Sequence, residues 1–185
     1  MREKNLARKH KRAKGIPPQF LLFFTTIFLL APIASAQNVA NPGFESELSD
    51  WATSFDYEMS HARTEAARTG DFGLRVADAS PNQGSGLESL PLEATPGQKY
   101  EVTFWARTVE GEGGLTVSLR FFDGSEKRLE KKPPSVLIEK SPTWKQFTVS
   151  GTAPEESVGF AIRIESVPLQ TVTVDLDDFE ARILP

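Results

Sequence analysis

The sequence predicts an all-β domain, a two-sheet antiparallel β-sandwich. Three observations predict it: short segments of alternating apolar and polar residues recur along residues 37–185, turn-forming residues separate them, and helical periodicity is nearly absent. Alternation with a period of two is typical of strands that bury one face. Strands that recur about every 8–15 residues without intervening helices favour two packed sheets.

Four segments carry the clearest alternation. Their predicted inward residues are Tyr100, Val102 and Phe104; Leu115, Val117, Leu119 and Phe121; Val158, Phe160, Ile162 and Ile164; and Val172, Val174 and Leu176. Turn-forming residues predict turns at 69–71, 95–97, 111–114, 123–124 and 131–134. The one expected helix is a turn or two over His61–Arg68, where alanines permit it.

The final strand predicts a β-bulge. Its apolar positions change parity between Leu176 and Phe179, although both halves of the strand should face the core. One extra residue at Asp177–Asp178 restores the inward direction, which is what a bulge does.

Composition excludes several chemistries and divides the charge unevenly. The 185 residues include no Cys, so a disulfide framework, a thiolate nucleophile and a Cys-based metal site are excluded. Seven of the 21 basic residues and one of the 25 acidic residues lie within residues 1–36. Residues 37–185 therefore hold 14 basic and 24 acidic side chains, and phosphate-rich partners such as nucleic acids would be repelled.

Residues 1–36 predict a secretory signal peptide. A basic head precedes an apolar run from Phe20 to Leu30, and the small residues Ala34, Ser35 and Ala36 precede Gln37. The alternative is an uncleaved anchor, but the run is shorter than the ~20 apolar residues that cross a bilayer. We expect residues 37–185 to act outside the cytoplasm, extracellular or periplasmic, as a monomer without membrane contact.

Six local motifs occur in order along residues 38–184. They are Asn-Pro-Gly-Phe-Glu at 41–45 followed by Trp51, then residues 69–76, 92–107, 143–149, 153–154 and 174–179. Together they resemble the carbohydrate-binding modules of families four, nine and twenty-two, the CenC-like type. The resemblance implies a jelly roll of the galactose-binding-like kind that assists secreted glycoside hydrolases. It also places Trp51 and Trp144 in packing positions, and we assign both to the core.

The resemblance further implies a structural calcium ion. Its ligands would be the Glu45 carboxylate, Asp177 from the last strand and a main-chain carbonyl near Asp71. Adjacent carboxylates at the predicted bulge, brought near Glu45, form an oxygen-rich cluster that suits Ca²⁺. The alternative is that Asp177 and Asp178 are solvated surface charges.

Modules of this kind bind sugar across the outer face of one sheet. If consecutive strands alternate between sheets, the outward residues on one face are Tyr57, Arg120, Phe122, Arg163 and Glu165, and Trp105 lies on the other. Residues 84–92, where relatives often present an aromatic platform, contain no aromatic residue. Two arginines among few aromatic rings lead to the hypothesis of an acidic or sulfated glycan.

Nothing in the sequence marks a catalytic site. His61 is the only histidine of residues 37–185, and no nucleophile elbow, phosphate loop or dinucleotide fingerprint occurs. The prediction is therefore a secreted, non-catalytic module that binds a polysaccharide or oligosaccharide. The alternatives are a structural or protein-interaction sandwich and, third, a small glycosidase with two facing carboxylates.

Overall fold

The computed structural model describes residues 34–53, 55–111, 113–166 and 171–185. Residues 1–33, which hold nearly all of the predicted signal peptide, lie outside the described residues. Among the described residues, no helix has the length and apolar character needed to cross a membrane.

The described chain forms twelve β-strands and one short 3-10 turn. In chain order the strands are β1 Ser35–Gln37, β2 Trp51–Ala52, β3 Ser60–Arg63, β4 Gly73–Asp78, β5 Gly86–Ser89, β6 Leu92–Glu93, β7 Lys99–Gly111, β8 Gly113–Phe122, β9 Ser135–Glu139, β10 Lys145–Thr152, β11 Gly159–Ser166 and β12 Val172–Leu184. The 3-10 turn is Thr64–Ala66.

The strands build two antiparallel sheets, as the sequence predicts. The front sheet has the order β2-β5-β11-β8-β9, with β6 also pairing with β11. The back sheet has the order β10-β7-β12-β4-β3, with β1 also pairing with β12. Spatial neighbours such as β7 and β12 are distant along the chain, which is typical of a jelly roll.

The core lies between the inner faces of the two sheets. The predicted inward residues of β7, β8, β11 and β12 are all buried. Val158 is the exception, because it precedes β11 in a turn and is half exposed. At one end Trp51 packs between Phe44 and Phe179, at ring-centroid distances of 5.0 and 5.4 Å, so the prediction that Trp51 is a core residue is confirmed.

The bulge in β12 is confirmed. Its pairing with β7 shifts register between Asp177 and Glu180, and Asp178 has a φ of 53°. This extra residue turns Phe179 and Ala181 toward the same core that Leu176 enters.

The predicted helix over His61–Arg68 is wrong for most of its length. Residues 60–63 form β3, where His61 pairs with Arg75 and Arg63 with Gly73 of β4. Only Thr64–Ala66 form a single 3-10 turn. The hydrogen bonds offered by the neighbouring strand outweigh the weak helical preference of a few alanines.

The first strand crosses the predicted domain boundary. Ser35, Ala36 and Gln37 pair with Ile183, Arg182 and Ala181 of β12. The boundary between residues 36 and 37 therefore falls inside β1, and the division of the chain at that point stays a prediction.

Candidate functional site

The outer face of the front sheet brings charged residues of three strands together. Glu88 of β5 lies opposite Arg163 of β11, and Arg120 of β8 lies opposite Ala161. Glu165 is two residues beyond Arg163 and therefore points to the same face. Three of the residues proposed from the sequence thus meet on one face, as the alternation suggested.

These four side chains form one network, here called the charged tetrad. Arg120 donates from Nη1 to Oε2 of Glu88 (3.0 Å) and from Nη2 to Oε2 of Glu165 (3.1 Å). Arg163 donates from Nε to Oε2 of Glu165 (3.2 Å), and its Nη1 lies 3.8 Å from Oε2 of Glu88. Two arginines and two glutamates give the tetrad no formal net charge.

Small neighbours let the arginines lie flat on the sheet. Arg163 is only 8% exposed, and a Cβ on Gly86 would stand 2.1 Å from its Nη2. Ser118 lies opposite Arg163 and is itself buried. Within the described residues, Ser118 Oγ and Arg120 Nε are buried polar atoms without a hydrogen-bond partner. Arg163 is therefore recessed into the sheet, while Arg120, Glu88 and Glu165 are partly exposed.

Three linked depressions form a groove across this face, here called the front-sheet groove. The first depression, of about 330 Å³, is lined by Tyr57, Thr116 and Glu165, and it shares Phe55 and Arg163 with the second. The second, about 120 Å³, shares Ala52 and Glu88 with the third, of about 350 Å³, which reaches Phe122. The shared walls make one groove, with Arg163 and Glu88 of the tetrad where the depressions join.

Aromatic rings line the two outer depressions of the groove. Phe55 and Tyr57 lie in the loop between β2 and β3 and are 64% and 59% exposed. Tyr57 therefore belongs to a loop, not to a strand as the sequence suggested. In the third depression the Phe122 ring lies over Gly159, whose Cβ would stand 2.6 Å from it.

The outer face of the back sheet holds two further tryptophans that are stacked against arginines. The Arg68 guanidinium lies 3.8 Å from the Trp105 ring centroid, and that of Arg107 lies 4.9 Å from the Trp144 centroid. Trp105 is thus separated from the other five proposed sugar-binding residues. Trp144 is partly exposed, so its assignment to the core is wrong: the cation–π contact at the edge replaces burial.

The residues expected to hold calcium meet beside the bulge. Asp177 is completely buried, and its Oδ2 accepts hydrogen bonds from the main-chain N–H groups of Arg68 (2.7 Å) and Thr69 (3.1 Å). Burial raises the pKa of Asp177, and the main-chain N–H groups partly oppose this rise. The Glu45 carboxylate accepts from the main-chain N–H of Asp71 at 3.0 Å.

The space above Gly43 fits a cation. A Cβ on Gly43 would stand 3.3 Å from Asp177 Oδ1 and 3.8 Å from Glu45 Oε1, so a side chain there would enter the space beside both carboxylates. Within the described residues, no cluster of three or more His, Cys, Asp or Glu side chains could hold a metal ion. Main-chain and water oxygens would complete the coordination, which is a ligand set that Ca²⁺ accepts.

No protein-family model matches the chain, and no curated protein matches it. Solved structures do match. A family 16 carbohydrate-binding module is 14% identical with a TM-score of 0.61, covering 78% of this chain and 99% of that one. The CBM22-1 xylan-binding domain from Paenibacillus barcinonensis Xyn10C is 16% identical with a TM-score of 0.60, covering 83% and 97%. The chain has the fold of the carbohydrate-binding modules.

Two further structures show how widely this module fold is used. TmCBM61 in complex with β-1,4-galactotriose is 22% identical with a TM-score of 0.53, covering 78% of this chain and 98% of that one. The Stig cyclase Fisc from Fischerella sp. TAU is 21% identical with a TM-score of 0.63, covering 83% and 99%. The module fold therefore carries both binding and catalysis, and function must be argued from the site.

Two residues of the front-sheet groove, Glu88 and Phe55, are not among the residues predicted from the sequence. Glu88 lies within residues 84–92, the segment that lacks an aromatic residue. The signal was its outward position between the buried Leu87 and Ser89. Phe55 lies two residues before Tyr57, and the pairing of these two aromatics across one acid was the available signal.

Proposed function

We propose that the protein is a non-catalytic carbohydrate-binding module whose ligand lies in the front-sheet groove. The observation that carries this proposal is a hydrogen-bonding tetrad in a groove whose two outer depressions are lined by aromatic side chains. Aromatic rings stack on the apolar faces of pyranose rings, and charged side chains bond the hydroxyl groups between them. A few fixed polar groups among apolar walls are typical of ligand sites.

The charge balance of the groove favours a neutral glycan. The arginine contacts of Glu88 and Glu165 all use Oε2, which leaves Oε1 of each carboxylate as an acceptor for hydroxyl groups. Each arginine already has a carboxylate partner, so neither is an uncompensated cation that attracts sulfate or uronate. The excess of acidic residues along residues 37–185 also disfavours an anionic ligand.

The tetrad argues for binding rather than glycoside hydrolysis. A glycosidase divides two roles between its carboxyl groups, one donating a proton and the other acting as base or nucleophile. Glu88 and Glu165 instead both contact the same two arginines, Arg120 and Arg163. The four side chains form one ion-paired network that can donate and accept hydrogen bonds to a ligand.

Affinity electrophoresis on a panel of polymers tests this proposal. The panel contains neutral xylan, β-glucan, β-galactan and mannan beside anionic alginate and a sulfated polysaccharide. We expect retardation by at least one neutral polymer, weaker but still measurable retardation in Tyr57→Ala, and wild-type retardation in Arg182→Ala, which removes an exposed arginine of β12 in the back sheet. Retardation by anionic polymers alone would contradict the neutral class, and retardation by none would favour a purely structural sandwich.

We also propose that Glu45 and Asp177 hold a calcium ion that stabilises the module. The cation would join the loop carrying Glu45 to β12 and to residues 68–72, three parts of the chain that already meet there through hydrogen bonds. It would compensate the buried Asp177 carboxylate, whose hydrogen bonds come only from neutral main-chain donors. Its role is stability rather than chemistry.

Export through residues 1–36 completes the proposal. Its support is the basic head, the apolar run and the small residues before Gln37. N-terminal sequencing of the protein recovered from outside the cytoplasm tests it: the expected first residue is Gln37. Recovery only with the membrane fraction, with residues 1–36 intact, would support the anchor instead.

A further inference from the structure

The aromatic end of the groove contains a buried carboxylate. Asp56 is only 2% exposed, although Phe55 and Tyr57 on either side are among the most exposed large side chains described. The loop therefore directs two rings outward and one acid inward. A buried carboxylate must accept hydrogen bonds from neighbouring groups, because an unpartnered one would be strongly destabilising.

The partners of Asp56 come from both sheets. Oδ2 accepts from the main-chain N–H of Ser60 (2.8 Å), and Oδ1 accepts from the hydroxyl groups of Ser60 (2.5 Å) and Ser85 (2.5 Å). Ser60 begins β3 of the back sheet, and Ser85 directly precedes β5 of the front sheet. A single carboxylate thus ties the aromatic loop to the two sheets of the sandwich.

A second buried acid, Asp78, is joined to Ser85 through Ser166 and does not contact the aromatic loop. Ser85 donates its main-chain N–H to Ser166 Oγ (2.7 Å), and Ser166 Oγ donates to Asp78 Oδ2 (2.5 Å). Ser85 and Ser166 line the first depression together with Phe55 and Tyr57. The donors to Asp56 are all neutral, so its contribution is to fix geometry rather than to neutralise a cation.

The backbone of the aromatic loop has two residues in an unfavourable conformation. Tyr57 and Glu58 both have left-handed backbone conformations, with φ of 51° and 59°, which residues other than glycine seldom adopt. Such conformations persist only where surrounding contacts hold them, and they cluster at functional sites.

We propose that Asp56 is a positioning residue that holds Phe55 and Tyr57 as a rigid aromatic platform at the end of the groove. This inference rests on the proposed function, because the platform would serve to stack a sugar ring. A preorganised platform loses less freedom when the ligand binds than a mobile loop would.

A double-mutant cycle tests the positioning role. Asp56→Asn keeps the shape of the side chain but replaces one carboxylate oxygen with an NH₂ group. That group cannot accept the hydrogen bonds that Ser60 and Ser85 donate. The probe is an oligosaccharide fragment of the neutral polymer that retards the protein most. We expect the change to weaken binding of this fragment about tenfold in the wild-type background. In a Phe55→Ala/Tyr57→Ala background the same change should cost less than about twofold, because no platform remains to be positioned. An equal loss in both backgrounds would overturn the proposal.

Asp78→Asn is the matched control. It removes a buried carboxylate of the same network that does not belong to the aromatic loop. We expect it to lower the melting temperature while oligosaccharide affinity stays within about twofold of wild type, since the Asp56 bonds persist. A loss of affinity as large as that of Asp56→Asn would show a general effect of the network and contradict a specific role.

Hydrogen exchange provides a readout that needs no sugar. The Ser60 amide, which donates to Asp56, and the amides of residues 55–58 should exchange faster in Asp56→Asn, while those of β11 stay protected. Unchanged exchange would overturn the positioning role. Faster exchange in a protein that binds no glycan would support positioning and refute the proposed function. If Asp56→Asn fails to fold, Ser85→Ala removes one donor and is expected to show the same pattern at smaller amplitude.

Discussion

Arg75 forms a two-point ion pair with Asp175 in the middle of the back sheet. Its Nε lies 2.7 Å from Oδ1 and its Nη2 lies 3.0 Å from Oδ2 of a carboxylate that is completely buried. Arg107 approaches from the other neighbouring strand, with Nη2 2.9 Å from Oδ2. The hydrogen bond with Asp175 raises the pKa of Arg75. This pairing joins β4, β12 and β7 across the outer face.

Asp175→Asn should therefore destabilise the protein. Removing the buried carboxylate leaves the partly exposed Arg75 and Arg107 without their common partner, which should cost roughly 1–3 kcal/mol. Urea unfolding measures the loss. Glu180→Gln is the control, because it disrupts the exposed pair with Arg182 and should cost less than about 1 kcal/mol. Equal effects of the two changes would refute the special role of the buried pair.

Gly86→Ala should disturb the charged tetrad directly. The new methyl group would stand 2.1 Å from Arg163 Nη2, so the guanidinium must leave its place over β5. We expect glycan affinity to fall about tenfold, or ~1.4 kcal/mol, as titration calorimetry would measure. Gly124→Ala adds the same methyl group where no atom lies within 4 Å, and it should bind like wild type. Undiminished binding by Gly86→Ala would argue against a tetrad contact with the ligand.

Removal of calcium should lower the melting temperature. At a free calcium concentration of about 100 Kd the ion would contribute about 2.7 kcal/mol, which EDTA would abolish. Glu45→Gln should make the melting temperature insensitive to EDTA. Asp71→Asn should retain the response, because Asp71 contacts Glu45 through its main-chain N–H. A melting temperature that EDTA leaves unchanged in the wild type would refute the calcium proposal.

Glu130 should give stability a defined pH dependence. Burial raises the pKa of Glu130, and the hydrogen bond from the Phe121 main-chain N–H opposes this only in part. The folded protein therefore binds the Glu130 proton more tightly than the unfolded chain does. Consequently the Glu130 contribution to the free energy of unfolding falls as pH rises from the ordinary glutamate pKa through the raised value.

Glu130→Gln should remove this component. Unfolding in urea at pH values from about 4 to 7 would show a shallower loss of stability in the variant than in the wild type. Glu155→Gln changes an exposed loop glutamate and should leave the wild-type slope intact. Parallel slopes for wild type and Glu130→Gln would contradict the raised pKa.

The alternation of apolar and polar residues was sufficient to predict the two-sheet sandwich and most of its core residues. The alternating apolar residues of β7, β8, β11 and β12 enter the core, because each of these strands has one face against the other sheet. The parity change after Leu176 revealed the bulge for the same reason. Such patterns are local, so they can be read without knowing which strands pair.

The candidate site depended on pairing that no local pattern contains. Glu88 meets Arg163 only because β5 lies beside β11, and Arg120 reaches both glutamates only in the observed register. Trp144 lies outside the core, because Arg107 stacks on its ring at the edge of the sheet. The segment from Ser60 to Arg63 is a strand because it forms antiparallel hydrogen bonds with β4. Each of these outcomes follows from contacts between residues far apart in the chain.

The most direct test of the central claim is a map of backbone amide chemical shifts during titration with an oligosaccharide fragment of the neutral polymer that retards the protein most. Binding in the front-sheet groove predicts saturable shifts in β5, β8, β11 and residues 55–58, with β4 and β7 of the back sheet unchanged. Saturable shifts confined to the back sheet, around Trp105 and Trp144, would contradict the account.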